Sequence, residues 1–385
     1  MSNIKGDKTI RILTVFGTRP EAIKLAPVVR ALALADGIES LVCVTAQHRE
    51  MSDQVLTLFD IKPDFDLDIM KSRQGLNDIT SAVLFGIQKV IQECRPDRVL
   101  VQGDTTTTFA ASLAAFYEKT PVGHIEAGLR TGDIYAPWPE EVNRKLTSVI
   151  ADLHFPPTES SRQNLLAEGI SEAQILVTGN TVIDALSQAI GIIDGSPDLQ
   201  KQLQGQFDFI DPNKRLILTT GHRRENFDGG LDEVCRALAD LAKRDDVEII
   251  YPVHLNPNVQ ESAKKVLSGY DNVHLVPPLD YLPFLYLMRK AELIVTDSGG
   301  IQEEAPSLGK PVLVTRDVTE RPEAVAAGTV ELVGTDRAKL RQRLSQLLDD
   351  DDEYQRMSRA NNPYGDGHAS ARIIERLNNE RGLQK

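Results

Sequence analysis

The chain has few cysteines, no long apolar run and too little positive charge to form a broad basic surface. Its cysteines, Cys43, Cys94 and Cys235, are too few and too scattered for a disulfide framework or a zinc site. No apolar run approaches the roughly 20 residues that span a bilayer, and residues 1–8 lack the apolar stretch of a signal peptide. The net charge of -13 argues against a nucleic-acid partner. We therefore expect a cytoplasmic protein without a membrane or nucleic-acid partner.

Motifs for common cofactors are also missing. Neither the dinucleotide-binding pattern GxGxxG nor the ATP-binding pattern GxxxxGK[ST] occurs where a strand would meet a helix. A zinc site could be imagined from His48, His124, His222 and His254, but these histidines form no close-spaced ligand pair. The sequence therefore predicts a protein without a nicotinamide, ATP or metal cofactor.

Short apolar, β-branched runs alternate with amphipathic segments along nearly the whole chain. Such alternation predicts parallel sheets covered by helices on both faces. In the first half the predicted strands are residues 10–16, 41–45, 98–102, 121–125 and 153–155, and the predicted helices include 21–35, 76–94 and 105–116. The pattern restarts after a polar stretch at 195–211, with strands at 215–220, 247–253, 273–276, 293–296 and 312–314 and a helix at 231–244.

This pattern predicts an α/β fold of two Rossmann-like, doubly wound domains. We place the first domain at residues 1–180 and the second at 181–365, with a helix within 366–385 packing back on the first domain. Ligands of open parallel sheets bind beyond the carboxyl ends of the strands. If those ends face each other, the domains enclose a central cleft with a basic loop on each wall.

Polar side chains follow the predicted strand ends in both halves of the chain. They are Arg19, Lys24, Asp104, Glu126, His222 and Asp297. Either Asp104 or Asp297 could instead cap the helix that follows it, and we interpret Asp297 as such a cap. Polar residues at so many strand ends together favour a binding or catalytic site.

Two further segments could take part in such a site. Ser298-Gly299-Gly300 opens a predicted helix, where free amides and the helix dipole suit a phosphate, although an ordinary glycine-containing turn explains it equally well. Arg321 supplies another cation near a predicted strand end. Pro139 followed by Glu140 and Glu141 predicts the start of a helix, where Glu140 could either complement the helix dipole or take part in chemistry.

These motifs, in this order, resemble the non-hydrolysing bacterial UDP-N-acetylglucosamine 2-epimerases. The resemblance runs from about residue 10 to the last helix. It is carried by Phe16-Gly17-Thr18-Arg19-Pro20-Glu21-Ala22, Gly103-Asp104-Thr105, His124-Ile125-Glu126-Ala127-Gly128-Leu129-Arg130, Thr219-Thr220-Gly221-His222-Arg223-Arg224-Glu225-Asn226 and Asp297-Ser298-Gly299-Gly300-Ile301-Gln302-Glu303-Glu304. It implies the two-domain fold of GT-B glycosyltransferases and a homodimer. The implied activity is reversible conversion of UDP-N-acetylglucosamine to UDP-N-acetylmannosamine, usually for surface polysaccharides.

The resemblance also implies roles for single residues. Substrate contacts would come from Arg19, Lys24, Asp104, Glu126, His222, Leu279, Phe284, Ser298, Gly299, Gly300, Glu304 and Arg321. The implied catalytic set is Asp104, Glu126, Glu140 and His222. Leu279 departs from the pattern, because some relatives have a glutamine there that contacts the nucleotide. Some members are activated by UDP-N-acetylglucosamine at a neighbouring site, which would lie near Gln47, His48 and Glu140.

The expected chemistry is elimination of UDP to a 2-acetamidoglucal, followed by re-addition of UDP. Asp104, Glu126 and Glu140 would supply the base and the acid, without the sequence assigning which is which. Three alternatives stay open: a hydrolysing epimerase that releases N-acetylmannosamine and UDP, a glycosyltransferase of the same fold, and a non-catalytic sensor of UDP-sugars.

Overall fold

The chain divides into two compact units in the computed structural model, which describes residues 9–45, 49–71 and 74–383. The first unit is Met1–Gln188 with Tyr364–Lys385, and the second is Ala189–Pro363. The division falls inside a helix, later in the chain than the sequence-based boundary between residues 180 and 181. That boundary stays a prediction of where the functional domains meet.

Parallel strands form one sheet in the first unit. Within its described residues the strands are β1 (Ile10–Phe16), β2 (Ile38–Val44), β3 (Phe65–Asp66), β4 (Arg98–Gln102), β5 (Val122–Ile125) and β6 (Leu153–Phe155). The helices up to the division are α1 (Arg19–Leu34), α2 (Arg49–Leu58), α3 (Leu76–Cys94), α4 (Thr106–Tyr117), α5 (Glu140–Ile150), α6 (Glu159–Ala167) and α7 (Thr181–Gly195), with a 3-10 turn at Glu172–Gln174.

The second unit repeats this architecture. Its strands are β7 (Arg215–Thr220), β8 (Val247–Pro252), β9 (Val273–Val276), β10 (Leu293–Thr296), β11 (Val312–Val314) and β12 (Val330–Leu332). Its helices are α8 (Pro197–Gln206), α9 (Gly230–Leu241), α10 (Pro257–Leu267), α11 (Tyr281–Lys290), α12 (Gly299–Glu304), α13 (Pro322–Ala327), α14 (Arg337–Asp349) and α15 (Asp351–Ser358), with 3-10 turns at Arg224–Asn226 and Ala305–Leu308. The last helix, α16 (Ala369–Leu383), belongs to the first unit, where it contacts α1.

Both sheets have the same strand order. In each sheet the chain adds strands outward on one side of the first strand and then continues on its other side. The orders are β3-β2-β1-β4-β5-β6 and β9-β8-β7-β10-β11-β12, and all the strand pairings are parallel. The point of reversal, between β1 and β4 or between β7 and β10, is where open parallel sheets of this kind bind ligands. The predicted α/β fold of two doubly wound sheets is confirmed.

Burial on both faces explains why the central strands are continuous apolar runs. Strands covered by helices on both sides lack an alternating polar face, and all five residues of β4 are buried. In the first unit α3 and α4 pack over one face through Val83, Ile87 and Ala111, among others. No helix within 9–45, 49–71 and 74–383 is long and apolar enough to cross a bilayer. The cytoplasmic location stays a prediction.

Candidate active site

Four of the sequence-predicted site residues follow the central strands of the first sheet. Arg19 is the first residue of α1 and is half-buried; Lys24 lies one turn further along that helix. Asp104 follows β4, and Glu126 directly follows β5. Because β1, β4 and β5 are neighbours in one parallel sheet, the loops after them share one edge. The first unit thus gathers cations and carboxylates at its point of strand reversal.

Glu126 lies at the centre of a buried hydrogen-bond network. Its backbone adopts a left-handed φ of 59°, which is uncommon for a residue with a side chain. The carboxylate is 6% exposed and accepts hydrogen bonds from Nζ of Lys24, from Nε2 of Gln102 and, at 2.9 Å, from Nδ2 of Asn180. Sequence reasoning missed Gln102 and Asn180. The position of Gln102 at the end of β4 could have indicated a site residue, because the other candidates also lie at strand ends. No comparable sequence pattern marks Asn180.

Asp104 is held by the first turns of α5. One carboxylate oxygen lies 2.5 Å from Arg144, and its carbonyl oxygen accepts a hydrogen bond from Asn143 at 2.9 Å. The helix-capping alternative is wrong, because Oγ1 of Thr105 caps α4 by accepting the N–H of Thr108. The Asp104 carboxylate therefore does not cap α4.

Glu140 begins α5, as the sequence predicts, and is half-buried. It precedes Asn143 and Arg144 by three and four residues, the spacing that places side chains on one face of a helix. Those are the residues that hold Asp104. The structure therefore brings the start of α5 to the Asp104 loop. Its neighbour Glu141 is fully buried and accepts the backbone N–H groups of Thr131 and Gly132, which is a structural role.

A buried carboxylate that sequence reasoning missed ties two strand-end loops together. Glu21 accepts the N–H groups of Gly17 and Thr18, at 3.0 and 2.7 Å, on one oxygen and the hydroxyls of Thr105 and Thr108 on the other. Burial raises the pKa of the Glu21 carboxyl, and these hydrogen bonds only partly offset the effect. The Thr-x-x-Glu capping box at residues 18–21 could have revealed half of this arrangement.

In the second unit, a carboxylate at the end of β10 holds the histidine loop that follows β7. Oδ2 of Asp297 accepts the backbone N–H groups of His222 and Arg223, each at 2.8 Å, and Oδ1 lies 3.1 Å from Nδ1 of His222. Burial opposes ionisation of Asp297, but the hydrogen bond and charge of His222 and the two backbone donors lower the pKa of this carboxyl. The interpretation of Asp297 as a helix cap is wrong, because Ser298 occupies the N-cap position of α12.

Arg321 lies against the first turn of α12. A Cβ atom on Gly299 would come within 3.3 Å of Cζ of Arg321, so the guanidinium covers the backbone there. Nε of Arg321 donates to Glu303 at 2.8 Å. Ser298, Gly299 and Gly300 thus present their backbone beside a cation. That combination suits a phosphate.

Three other predicted substrate contacts lie on α12 or in the segment that begins α11. Glu304 ends α12 and accepts the hydroxyl of Tyr281 at 2.7 Å. Tyr281 begins α11, and Phe284 lies in the first turn of the same helix. Leu279 is half-buried in the loop before α11. Tyr281 therefore links the segment of Leu279 and Phe284 to α12.

Two of the other histidines named in the sequence analysis, His124 and His254, have different surroundings. His124 is fully buried; Nε2 contacts the carbonyl of Gly103 at 2.7 Å, and burial lowers the pKa of its imidazole to about 3, which indicates a neutral structural residue. The ring centroid of His254 lies 5.6 Å from that of His222.

Two further predictions concern an activator site and a metal site. Gln47 and His48 lie outside the described residues, so the activator site stays a prediction. Among residues 9–45, 49–71 and 74–383, no three His, Cys, Asp or Glu side chains form a group that could hold a metal.

Together, the fold and the two sets of strand-end residues define a protein of the two-domain Rossmann-like class. The chain is similar over nearly its whole length to known proteins of that class. Residues 30–378 match the family model described as UDP-N-acetylglucosamine 2-epimerase. Proteins with this name from Yersinia pestis and Escherichia coli strain K12 are each 60% identical to the chain, over 96% and 97% of it and 99% of their own lengths.

A solved structure gives the same result. The chain matches the crystal structure of UDP-GlcNAc 2-epimerase from Neisseria meningitidis bound to UDP-GlcNAc with a TM-score of 0.90 and 54% identity, over 96% of this chain and 100% of that one. The chain therefore belongs to the UDP-N-acetylglucosamine 2-epimerase family.

Proposed function

We propose that the protein interconverts UDP-N-acetylglucosamine and UDP-N-acetylmannosamine by reversible, non-hydrolytic epimerisation at C2. The observation that carries this proposal is family membership at 60% identity across nearly the whole chain. The product would supply N-acetylmannosamine-type sugars for surface polysaccharide synthesis in the cytoplasm.

The substrate itself limits the available chemistry. Its C2 carries an acetamido nitrogen and no hydroxyl, so oxidation to a ketone at C2 cannot occur. The C2 hydrogen becomes acidic only as the bond from C1 to the diphosphate oxygen weakens. A base then takes the C2 proton, the C–H electron pair forms the C1=C2 double bond, and the C1–O pair leaves on the β-phosphate. Re-addition of UDP with protonation on the opposite face of C2 gives the epimer.

The first unit supplies the acid and base in this proposal. Glu126 is supported as a proton-transfer group because Lys24, Gln102 and Asn180 fix its carboxylate. Asp104 is supported by its pairing with Arg144, which holds the side chain while leaving it 27% exposed. Glu140 lies at the adjacent helix start. Fixed orientation of this kind contributes to rate because the reacting groups need no reorganisation.

The second unit supplies most of the groups for the leaving diphosphate. His222 and Arg321 are the cationic candidates, and Ser298, Gly299 and Gly300 provide backbone N–H groups; we add Arg19 from the first unit. Donors aimed at developing charge are worth about 10²–10³ in rate each. Leu279, Phe284 and Glu304 are proposed as contacts to the nucleoside or sugar.

A single incubation tests the proposal. The protein is mixed with UDP-N-acetylglucosamine in heavy water without added cofactor, and the sugar is followed by proton NMR. We expect UDP-N-acetylmannosamine to form with deuterium at C2. Release of free N-acetylmannosamine and UDP would support the hydrolysing alternative, and retention of the original C2 hydrogen in the product would refute the elimination.

The same incubation separates the other classes. A glycosyltransferase would leave the sugar nucleotide unchanged without an acceptor. A UDP-sugar sensor would bind UDP and exchange no hydrogen.

We further propose a homodimer formed through the first unit. Large apolar side chains are exposed on three helices, of which α3 contacts α4 and α4 contacts α5: Phe85, Phe116, Tyr117, Leu146 and Val149. Exposed apolar patches of this kind are typical of protein interfaces. Light scattering coupled to size exclusion tests this: the protein should run as a dimer, and Val149→Glu, at a position 80% exposed, should run as a monomer.

A further inference from the structure

Asp297 and His222 are brought together by strand pairing. β7 and β10 are hydrogen-bonded neighbours whose last residues, Thr220 and Thr296, are partners in register. Their hydroxyls lie 2.6 Å apart. His222 follows β7 after one intervening residue, Gly221, and Asp297 follows β10 directly. The carboxylate therefore meets the histidine loop at the point of strand reversal, although the two residues are 75 positions apart.

The carboxylate fixes both the backbone and the ring of His222. One oxygen receives the N–H groups of His222 and Arg223, which sets the direction of the loop. The other oxygen lies 3.1 Å from Nδ1 of the imidazole. An ionised carboxylate can only accept, so this contact favours the form of the ring with a hydrogen on Nδ1. Nε2 is then the ring nitrogen that remains for a ligand. Asp297 is 1% exposed and the His222 side chain is 38% exposed, so the carboxylate itself is shielded while the imidazole can meet substrate.

We propose that Asp297 is a positioning residue for the epimerisation, acting through His222: it holds the ring so that, when both ring nitrogens carry hydrogen, Nε2–H donates to the diphosphate as the C1–O bond breaks. This inference rests on the proposed function. Asp297 would act as the carboxylate does in other carboxylate–histidine pairs, where it fixes the orientation and the tautomer of the imidazole. His222 donates a hydrogen bond to the departing oxygen and keeps its proton. No covalent bond other than those of the proposed elimination and re-addition therefore forms or breaks.

Asparagine is the informative substitution. In Asp297→Asn the amide oxygen can still accept the N–H groups of His222 and Arg223, so the loop keeps its anchor. The amide nitrogen now faces Nδ1 and donates to it, so Nδ1 accepts and no longer carries a hydrogen. The substitution also removes the negative charge beside the ring. The loop geometry is preserved while the state of the imidazole changes.

A matched control exists in the same unit. Glu248 is a buried carboxylate that contacts Nε2 of His274, but it lies on β8 near the amino end of the strand, away from the carboxyl edge. Glu248→Gln therefore changes a carboxylate–imidazole pair without touching the proposed site.

The experiment compares Asp297→Asn, His222→Ala, the double variant and Glu248→Gln, measuring kcat and KM for epimerisation by NMR and the Kd of UDP by calorimetry. We expect Asp297→Asn to lower kcat by about tenfold or more, with a much smaller change in KM, because Nε2–H then donates without the carboxylate charge behind the ring and stabilises the leaving diphosphate less; charge-assisted hydrogen bonds are roughly twice as strong as neutral ones, and complete loss of one donor is worth about 10²–10³. Because Asp297 acts through His222, adding Asp297→Asn to His222→Ala should cost less than about twofold more. Glu248→Gln should keep the wild-type kcat.

Two results would overturn the inference. One is an Asp297→Asn enzyme with wild-type kcat. The other is a double variant that loses the product of both single effects, which indicates that Asp297 acts independently of His222. Unchanged circular dichroism of Asp297→Asn checks that it folds, and Asp297→Glu serves as the second variant if it does not. Failure of the proposed function is distinct from both, because the wild-type protein would then fail to epimerise the sugar.

Discussion

Replacing Lys24 with methionine tests whether the ion pair with Glu126 holds the first unit together. The two side chains are 11% and 6% exposed. Methionine keeps the length of the aliphatic chain and removes the ammonium. Glu126 would retain its neutral donors Gln102 and Asn180 but would lose a positive charge in a poorly solvated position. We expect a marked loss of stability.

The size of the loss follows from the burial of the pair. Removing one partner of a buried ion pair costs about 3–5 kcal/mol, because the remaining charge is uncompensated. A unit of roughly 200 residues shifts its Tm by about 2–4 °C per kcal/mol. The transition of the first unit should therefore fall by about 6–20 °C.

Differential scanning calorimetry measures this on the whole chain, in which the two units can give separate transitions. Lys24→Met combined with Glu126→Gln should lose less than Lys24→Met alone, because a neutral amide has no charge to compensate. Lys265→Met is the matched control: its partner Asp232 lies 3.2 Å away, but the lysine is 62% exposed. Exposed pairs are worth about 0.2–1 kcal/mol, so its Tm should hardly change.

If Lys24→Met melts within about 2 °C of the wild type, a loss of less than about 1 kcal/mol, the ion pair with Glu126 does not stabilise the first unit. If the single and double variants melt together, the loss does not come from the unpaired carboxylate.

Three further predictions follow from contacts in the two units. Arg144→Met should lower kcat for epimerisation about 10²-fold by releasing Asp104, since small misplacements of a reacting group cost about that much; unchanged turnover would contradict the placement of Asp104. Gly299→Ala should weaken UDP binding about tenfold, or 1.4 kcal/mol, by displacing Arg321, whereas Gly205→Ala, where nothing lies within 4 Å of the added carbon, should leave the Kd from calorimetry unchanged. Glu21→Gln should flatten the pH dependence of stability: the pKa of Glu21 is raised in the folded state, so its contribution is full below the ordinary value of 4.5 and declines as pH rises above it. The Tm of the wild type should then fall more than that of Glu21→Gln between about pH 5 and pH 8, and parallel curves would contradict the assignment.

The central strands could be predicted because burial on both faces makes their sequences unmistakable. The predicted bounds of β1, β4, β7 and β10 match the structure residue for residue. Of the four edge strands, β6 and β9 also match their predicted bounds, whereas the sequence does not predict β3 and β12, Phe65–Asp66 and Val330–Leu332. They are short and only partly buried, so neither leaves a clear apolar run. The sequence also predicts no helix in the polar stretch at 195–211, where the structure has α8.

The types of residue at the strand ends could be predicted, but not their partners. Asn180 donates to Glu126 from 54 residues away, and no local pattern connects the two. The sequence around Asp297 favours a helix cap, because aspartate is a preferred residue directly before a helix. Its carboxylate is instead occupied by two N–H groups of the loop after β7. Only the pairing of β7 with β10 decides between these partners, and pairing is not local information.

The position of α16 has a consequence for how the protein is made. Asp184, on α7, accepts the N–H groups of Ala369 and Ser370 at the start of α16, and Arg372 donates to the carbonyl of Thr178. Ile373 and Leu377 of this helix are buried. During translation, residues up to Gln188 leave the ribosome without the helix that covers α1, and they must wait until the whole second unit has been synthesised. A gene fragment that stops at Gln188 would encode an incomplete hydrophobic core, so any attempt to produce the first unit alone needs the last 22 residues, 364–385, joined to it.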